Sequence, residues 1–69
     1  MWKYESPIGT LIIRELSDGF GFEYDGVIWE ACETPQAEAD NIARHVTGCP
    51  EWDGCQFDAP PDLSGWEAI

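Results

Sequence analysis

Phe20-Gly21-Phe22-Glu23-Tyr24-Asp25-Gly26-Val27-Ile28-Trp29-Glu30-Ala31-Cys32 is the stretch whose reading decides the fold. Aromatic residues at alternate positions from Phe20 to Tyr24 mark a strand with one apolar face, and Asp25-Gly26 is a two-residue hairpin signal. Such a turn sets Tyr24 opposite Val27, Phe22 opposite Trp29 and Phe20 opposite Ala31, so these six residues share a face. Upstream, Thr10 to Leu16 is rich in strand formers and ends at a second turn signal, Ser17-Asp18-Gly19. A two-residue loop there adds Leu11 and Ile13 to the apolar face, whereas a three-residue loop adds Ile12 and Leu16; the pattern permits both. Trp2 and Tyr4 begin a further extended segment, interrupted at Ser6-Pro7-Ile8-Gly9.

Downstream, Thr34 can cap a helix, Pro35 suits its first position and Gly48 can take the positive φ that ends it. Ala39, Ile42, Ala43 and Val46 form the apolar stripe of a helix of about 13 residues, with Glu38, Asp40, Asn41, Arg44 and His45 on the remainder. A stripe this narrow needs a partner surface, and the aromatic face supplies one. The expected fold is α+β, a three-stranded antiparallel meander packed against one helix (β-β-β-α), with an irregular aromatic C-terminal tail or short terminal helix. The chain reads as one domain, 1–69, with a core over approximately 2–57 and a less ordered tail, 58–69.

The 69 residues include 14 acidic and 3 basic side chains, a net charge of -11, yet 43% are hydrophobic and four are Trp. That composition argues for folding rather than disorder. The charge repels a phosphate backbone, so nucleic acid is a disfavoured partner, and it suits a basic protein surface. No window approaches the roughly 18 apolar residues of a membrane span, and no signal-like segment opens the chain, so a cytoplasmic protein is expected. Three cysteines, Cys32, Cys49 and Cys55, fit reduced thiols better than a disulfide framework. A Cys49–Cys55 bridge is nevertheless sterically imaginable.

Cys32, His45, Cys49 and Cys55 are the candidate metal ligands, because His45 and Cys49 stand four apart near the helix end and thiolates with imidazole suit zinc. The spacing matches no zinc finger, so the opposing reading leaves three free thiols and a solvated histidine, and no cofactor is expected. Cys49 beside His45, with Asp40 or Asn41 to orient the base, is the nearest approach to a nucleophilic site. A domain this small offers little pocket to exclude water, and the expectation is that it is not an enzyme. No calcium loop and no phosphate-binding glycine loop is present. Trp2, Tyr4, Trp52 and Trp66 lack an obvious place in the core and are candidate anchors for a protein partner or a second copy.

Tyr4-Glu5-Ser6-Pro7-Ile8-Gly9-Thr10, Thr34-Pro35-Gln36-Ala37 with Ala39-Asp40, His45-Val46-Thr47-Gly48-Cys49, Glu51-Trp52-Asp53 and Asp62-Leu63-Ser64-Gly65-Trp66-Glu67 together resemble a widespread family of small uncharacterised bacterial proteins. The resemblance spans nearly the whole chain and implies a compact cytoplasmic domain without assigning an activity. A looser similarity links the strand–helix order and the Thr34 to Ala39 run to AP2-type domains and phage integrase arm-binding domains, which read DNA with the sheet. Those domains place Arg and Lys on that sheet; here Arg14 stands against Glu15, Glu23, Glu30 and Glu33, which disfavours an AP2-like nucleic-acid-binding role. The expected function is a noncatalytic acidic interaction or regulatory accessory module, with a small zinc-stabilised domain as the alternative.

Overall fold

A computed structural model describes residues Met1–Ile69. Its strands are β1 (Trp2–Ser6), β2 (Gly9–Leu16), β3 (Gly19–Tyr24), β4 (Val27–Cys32) and β5 (Glu67–Ala68); its helices are α1 (Pro35–Ala43) and α2 (Pro50–Asp53), with a 3-10 turn at Leu63–Gly65. The five strands form one antiparallel sheet in the order β4-β3-β2-β1-β5. The expected three-stranded meander with one helix is therefore corrected: the sheet has two more strands and the chain a second helix. The class, α+β, is unchanged.

The first added strand exists because Ser6-Pro7-Ile8-Gly9 is a hairpin turn and not an interruption. Ser6 pairs with Gly9, leaving Pro7 and Ile8 as the loop, and the ladder runs on through Tyr4–Leu11 to Trp2–Ile13. Gly9 has φ +128°, a conformation side chains rarely adopt, and the Ser6 hydroxyl donates to the Gly9 carbonyl at 2.6 Å while accepting from the Ile8 N–H at 3.3 Å. The second added strand is the end of the tail: Ala68 and Glu67 pair with Trp2 and Lys3, and the Ile69 N–H donates to the Met1 carbonyl at 2.8 Å.

Leu16 pairs with Gly19 across a two-residue loop, which settles the first open register and turns Leu11 and Ile13 inward. With Phe22 they are fully buried beneath α1, whose Ala39 and Ile42 are equally buried. Tyr24 from β3, Trp52 from α2, Cys49, Ala59 and Trp66 complete this single core. Full burial of a Leu, Ile or Phe is worth roughly 1.5–3 kcal/mol, so these side chains dominate what holds the two layers together. All the helices lie on one face of the sheet; Ile12, Arg14 and Leu16 point to the other, which nothing in the chain covers.

α1 begins as expected: the Thr34 hydroxyl accepts from the Ala37 N–H at 3.1 Å and Pro35 takes the first position. It ends at Ala43, well before Gly48. The His45 N–H donates to the Ile42 carbonyl and the Val46 N–H to the Asn41 carbonyl, each at 3.1 Å, with His45 itself at φ +58°. This is the paired closure of a Schellman motif with histidine in the place usually held by glycine. The imidazole stacks on Trp52 with ring centroids 4.5 Å apart, and its Nδ1 lies 2.8 Å from the Trp52 carbonyl oxygen, which offsets the backbone strain. The Trp52 indole in turn donates to the Ile42 carbonyl at 2.7 Å, so α2 caps the end of α1. Val46 falls outside the helix and is exposed.

Candidate metal centre

The site is created by a one-residue irregularity. Tyr24 pairs with Val27 and Glu23 with Ile28, but Phe22 then pairs with Glu30, because the register slips between Phe22 and Glu23 and Trp29 is left over. Cross-strand partners share a face, so the bulge turns Glu30 and Cys32 toward the core, beside Phe22 and Phe20. The expected pairs Phe22–Trp29 and Phe20–Ala31 are corrected accordingly. The Trp29 indole donates to the Tyr24 carbonyl at 3.2 Å, tying the extra residue across the hairpin turn.

α1 supplies the third member. Glu38 stands four residues before Ile42 and so lies on the helix side that faces the sheet, in the first turn. It is 0% exposed, and neither carboxylate oxygen has a hydrogen-bond donor; Glu30 Oε1 is buried without a partner as well. The ligating atoms of Glu30, Cys32 and Glu38 lie within 4.8 Å of one another. The Asn41 amide, one turn further along α1, donates to Cys32 Sγ at 3.5 Å.

Burial raises the Glu38 carboxyl to about 8, reinforced by the neighbouring Glu30 carboxyl and opposed by contact with the Cys32 thiol. Burial likewise raises the Cys32 thiol to about 12, with Glu38 and Glu30 adding to the shift and the Asn41 amide opposing it. Both effects have one source: Glu38 and Cys32 are withdrawn from water side by side, next to the Glu30 carboxyl, so burial and negative charge together disfavour their charged forms. Compensation takes one of two forms. A proton on Glu38 makes it a donor to Glu30, or a cation neutralises the group and fills the orphaned lone pairs. Two carboxylates and a sulfur suit a zinc-class ion, whose bonds to oxygen and sulfur are about 2.0–2.3 Å. Calcium, with 6–8 oxygen ligands, and hydrated magnesium find no such shell here.

Of the four sequence-named ligands, only Cys32 is in this cluster. His45 stacks on Trp52, Cys49 is fully buried in the core, Cys55 is half-buried against it, and all three cysteines are free thiols. No group of three ligating side chains other than Glu30, Cys32 and Glu38 comes together. Among the named anchors, Trp52 and Trp66 are inside the core, while Trp2 and Tyr4 are half-buried, packing on Phe20 and Trp66 with ring centroids 6.0 and 5.8 Å apart. Glu30 and Glu38 were not among the candidate ligands: the sequence reading set Glu38 on the polar side of the helix and Glu30 on the exposed sheet, and the structure turns both toward the core. For Glu38 a signal existed, its four-residue spacing from Ile42; for Glu30 the bulge that turns it inward left no mark in the alternation.

A shallow groove lined by Ile8, Thr10, Ile12, Glu23, Tyr24 and Asp25 at the hairpin-turn end of the sheet shares no residue with the cluster. No helix is long and apolar enough to cross a membrane. Set against known proteins, the chain matches no family model, no curated protein and no solved structure.

Proposed function

We propose that this chain is a small domain stabilised by one zinc-class divalent cation held by Glu30, Cys32 and Glu38, serving a structural or regulatory and not a catalytic role. One observation carries the reading: Glu38 is wholly buried with both oxygens unpartnered, beside a carboxylate and a thiol. Leaving such a group uncompensated costs several kcal/mol, and a domain of 69 residues has little stability to spare. The cation staples β4 to the first turn of α1, and the Asn41 amide orients the sulfur from outside the ligand set. A reducing compartment such as the cytoplasm keeps Cys32 available as a ligand.

Native mass spectrometry of untagged protein, purified without chelator, tests this. One zinc per chain is expected, lost on chelation together with thermal stability; zinc at about 100 times its dissociation constant should contribute about 2.7 kcal/mol. A metal-free mass with no thermal shift on adding zinc overturns it.

A second reading, a noncatalytic acidic module that works by contact with another protein, is favoured by a separate observation: one whole face of the sheet is left uncovered. Nucleic acid is a poor candidate for that contact, because Lys3 and Arg14 are already paired with Glu5 and Glu23 and the chain carries a net charge of -11.

A further inference from the structure

The register directs Ile12, Leu16, Ile28 and Ala31 to the uncovered face, with charged residues of β1, β2, β3 and β5 around them. Its centre is apolar. A Cβ added to Gly21 would sit 3.0 Å from both Leu16 Cδ1 and Ile28 Cγ2, so these side chains close over the glycine, with Ala31 paired to it and Ile12 alongside. Ile28 is 41% exposed and Leu16 and Ile12 are half-buried. The electrostatics of this face differ from those of the rest of the molecule. Lys3 and Arg14 against Glu5, Glu23 and Glu67 leave it one charge negative, whereas the remainder of the chain has only Arg44 against eleven carboxylates.

We propose that this face is the contact for a second copy of the chain, packed sheet on sheet about a two-fold axis. The inference rests on the contact reading of the domain and is independent of the metal. A strongly basic partner would be drawn to the other surfaces, where the acid is concentrated. The uncovered face is instead close to neutral, its Lys3 and Arg14 paired within the chain to Glu5 and Glu23 around an apolar centre, so a two-fold axis brings two copies together there without setting like charge against like. It also turns the most acidic surfaces of both copies outward. Five strands of two to eight residues, at about 3.3 Å per residue and about 4.8 Å apart, give a face of about 430 Å². Two such faces bury about 850 Å², below the size of a standard contact, so the dimer is a weak, transient one. Each copy carries -11, so long-range repulsion opposes encounter at low salt, where the screening length is about 20–30 Å, and fades when salt shortens it to a few ångströms. The contact is therefore strengthened by salt, the reverse of what docking on a basic partner would give.

The experiment is sedimentation equilibrium of the full chain, with chelator and reductant present to exclude metal and disulfide bridging, at about 0.02 M and about 0.5 M sodium chloride. A dimer is expected, with its association constant at least severalfold higher in the higher salt. Ile28→Glu should be monomeric in both; the side chain is already exposed, and a thermal melt checks that the fold is kept. Val46→Glu, on an exposed residue beyond α1, should leave the dimer intact. A monomer at several hundred micromolar in the higher salt overturns the proposal and leaves the contact reading to a different protein. So does a dimer that salt weakens or that Ile28→Glu does not disturb.

Discussion

At Glu38 the protein holds an acid where water cannot reach it and neither oxygen is held by a hydrogen bond, so its protonation is linked to folding. Its carboxyl lies at about 8 in the folded chain against 4.5 for an unperturbed glutamate. Between those values the native state keeps a proton that the unfolded chain releases. The stability this group confers on the metal-free protein is thus fully present below about pH 4.5, declines as pH rises, and is gone above about pH 8. The groups facing it are Glu30 and Cys32 from β4, with the Asn41 amide on its own helix. With a chelator present, urea unfolding of the wild type should lose about 3 kcal/mol between pH 5.5 and 7.5 beyond whatever Glu38→Gln loses. The substitution keeps shape and removes the titration, so it isolates this group from the general repulsion among the other carboxylates. Coincident curves for the two proteins would show that Glu38 is not the group being titrated. Zinc should restore the wild type at pH 8 and leave Glu38→Gln unchanged; Cys32→Ser should weaken zinc binding at least tenfold while sparing the metal-free fold.

The elements differ in how openly the sequence declares them. The Asp25-Gly26 hairpin, the strand at Thr10 to Leu16 and the Thr34-Pro35 helix start were legible because each is encoded by neighbouring residues with a local mechanism; at the first turn the loop is Ser17-Asp18, with Gly19 already in β3, and the sequence leaves its register open. The bulge at Trp29 was not, since alternation carries no sign of one extra residue; its support, the indole bond to the Tyr24 carbonyl, exists only once the hairpin has closed. That single slip decides whether Glu30 and Cys32 face water or the core, so the site was invisible for the same reason. The end of α1 was misplaced because a distant residue, Trp52, makes His45 the closing position where local rules favour Gly48. α2 holds that junction with one more device. The Asp53 carboxylate accepts from the Thr47 N–H at 3.0 Å, the Thr47 hydroxyl at 2.8 Å and the Gly48 N–H at 2.8 Å. Asp53→Ala strands three donors in a partly buried turn and should cost about 2–4 kcal/mol in urea unfolding, with Asp53→Asn costing less because its carbonyl oxygen still accepts. Equal losses from both would mean that charge, and not the number of bonds, holds the turn.

On the scale of the whole molecule, a short chain with three free thiols must find its stability without a disulfide. The tail contributes part of it: Trp66 is buried against Tyr4, its indole donates to the Pro60 carbonyl at 3.0 Å, and Gln36 of α1 bonds both the Pro61 carbonyl and the Leu63 N–H. The cation proposed at Glu38 and the second copy proposed on the open sheet would be two further supports. Against all of them stands a net charge of -11 in a body of 30 × 22 × 19 Å. At about 0.01 M salt the screening length is roughly 30 Å, so every carboxylate feels every other across the fold; at about 0.15 M it is roughly 8 Å, and only near neighbours interact. Unfolding separates the charges, so the repulsion lowers folded stability most where screening is weakest. Salt should also favour the proposed dimer, and the two effects have to be separated. Ile28→Glu does so, because it removes the contact and adds one more negative charge. In chelator, at a protein concentration where wild type associates, the thermal midpoint of both proteins should rise between these salts. The wild type should gain more, and only its midpoint should depend on protein concentration. A midpoint for Ile28→Glu that does not move with salt would mean that the acidic surface is too dispersed to strain the fold. Its charge would then bear on the choice of partner alone.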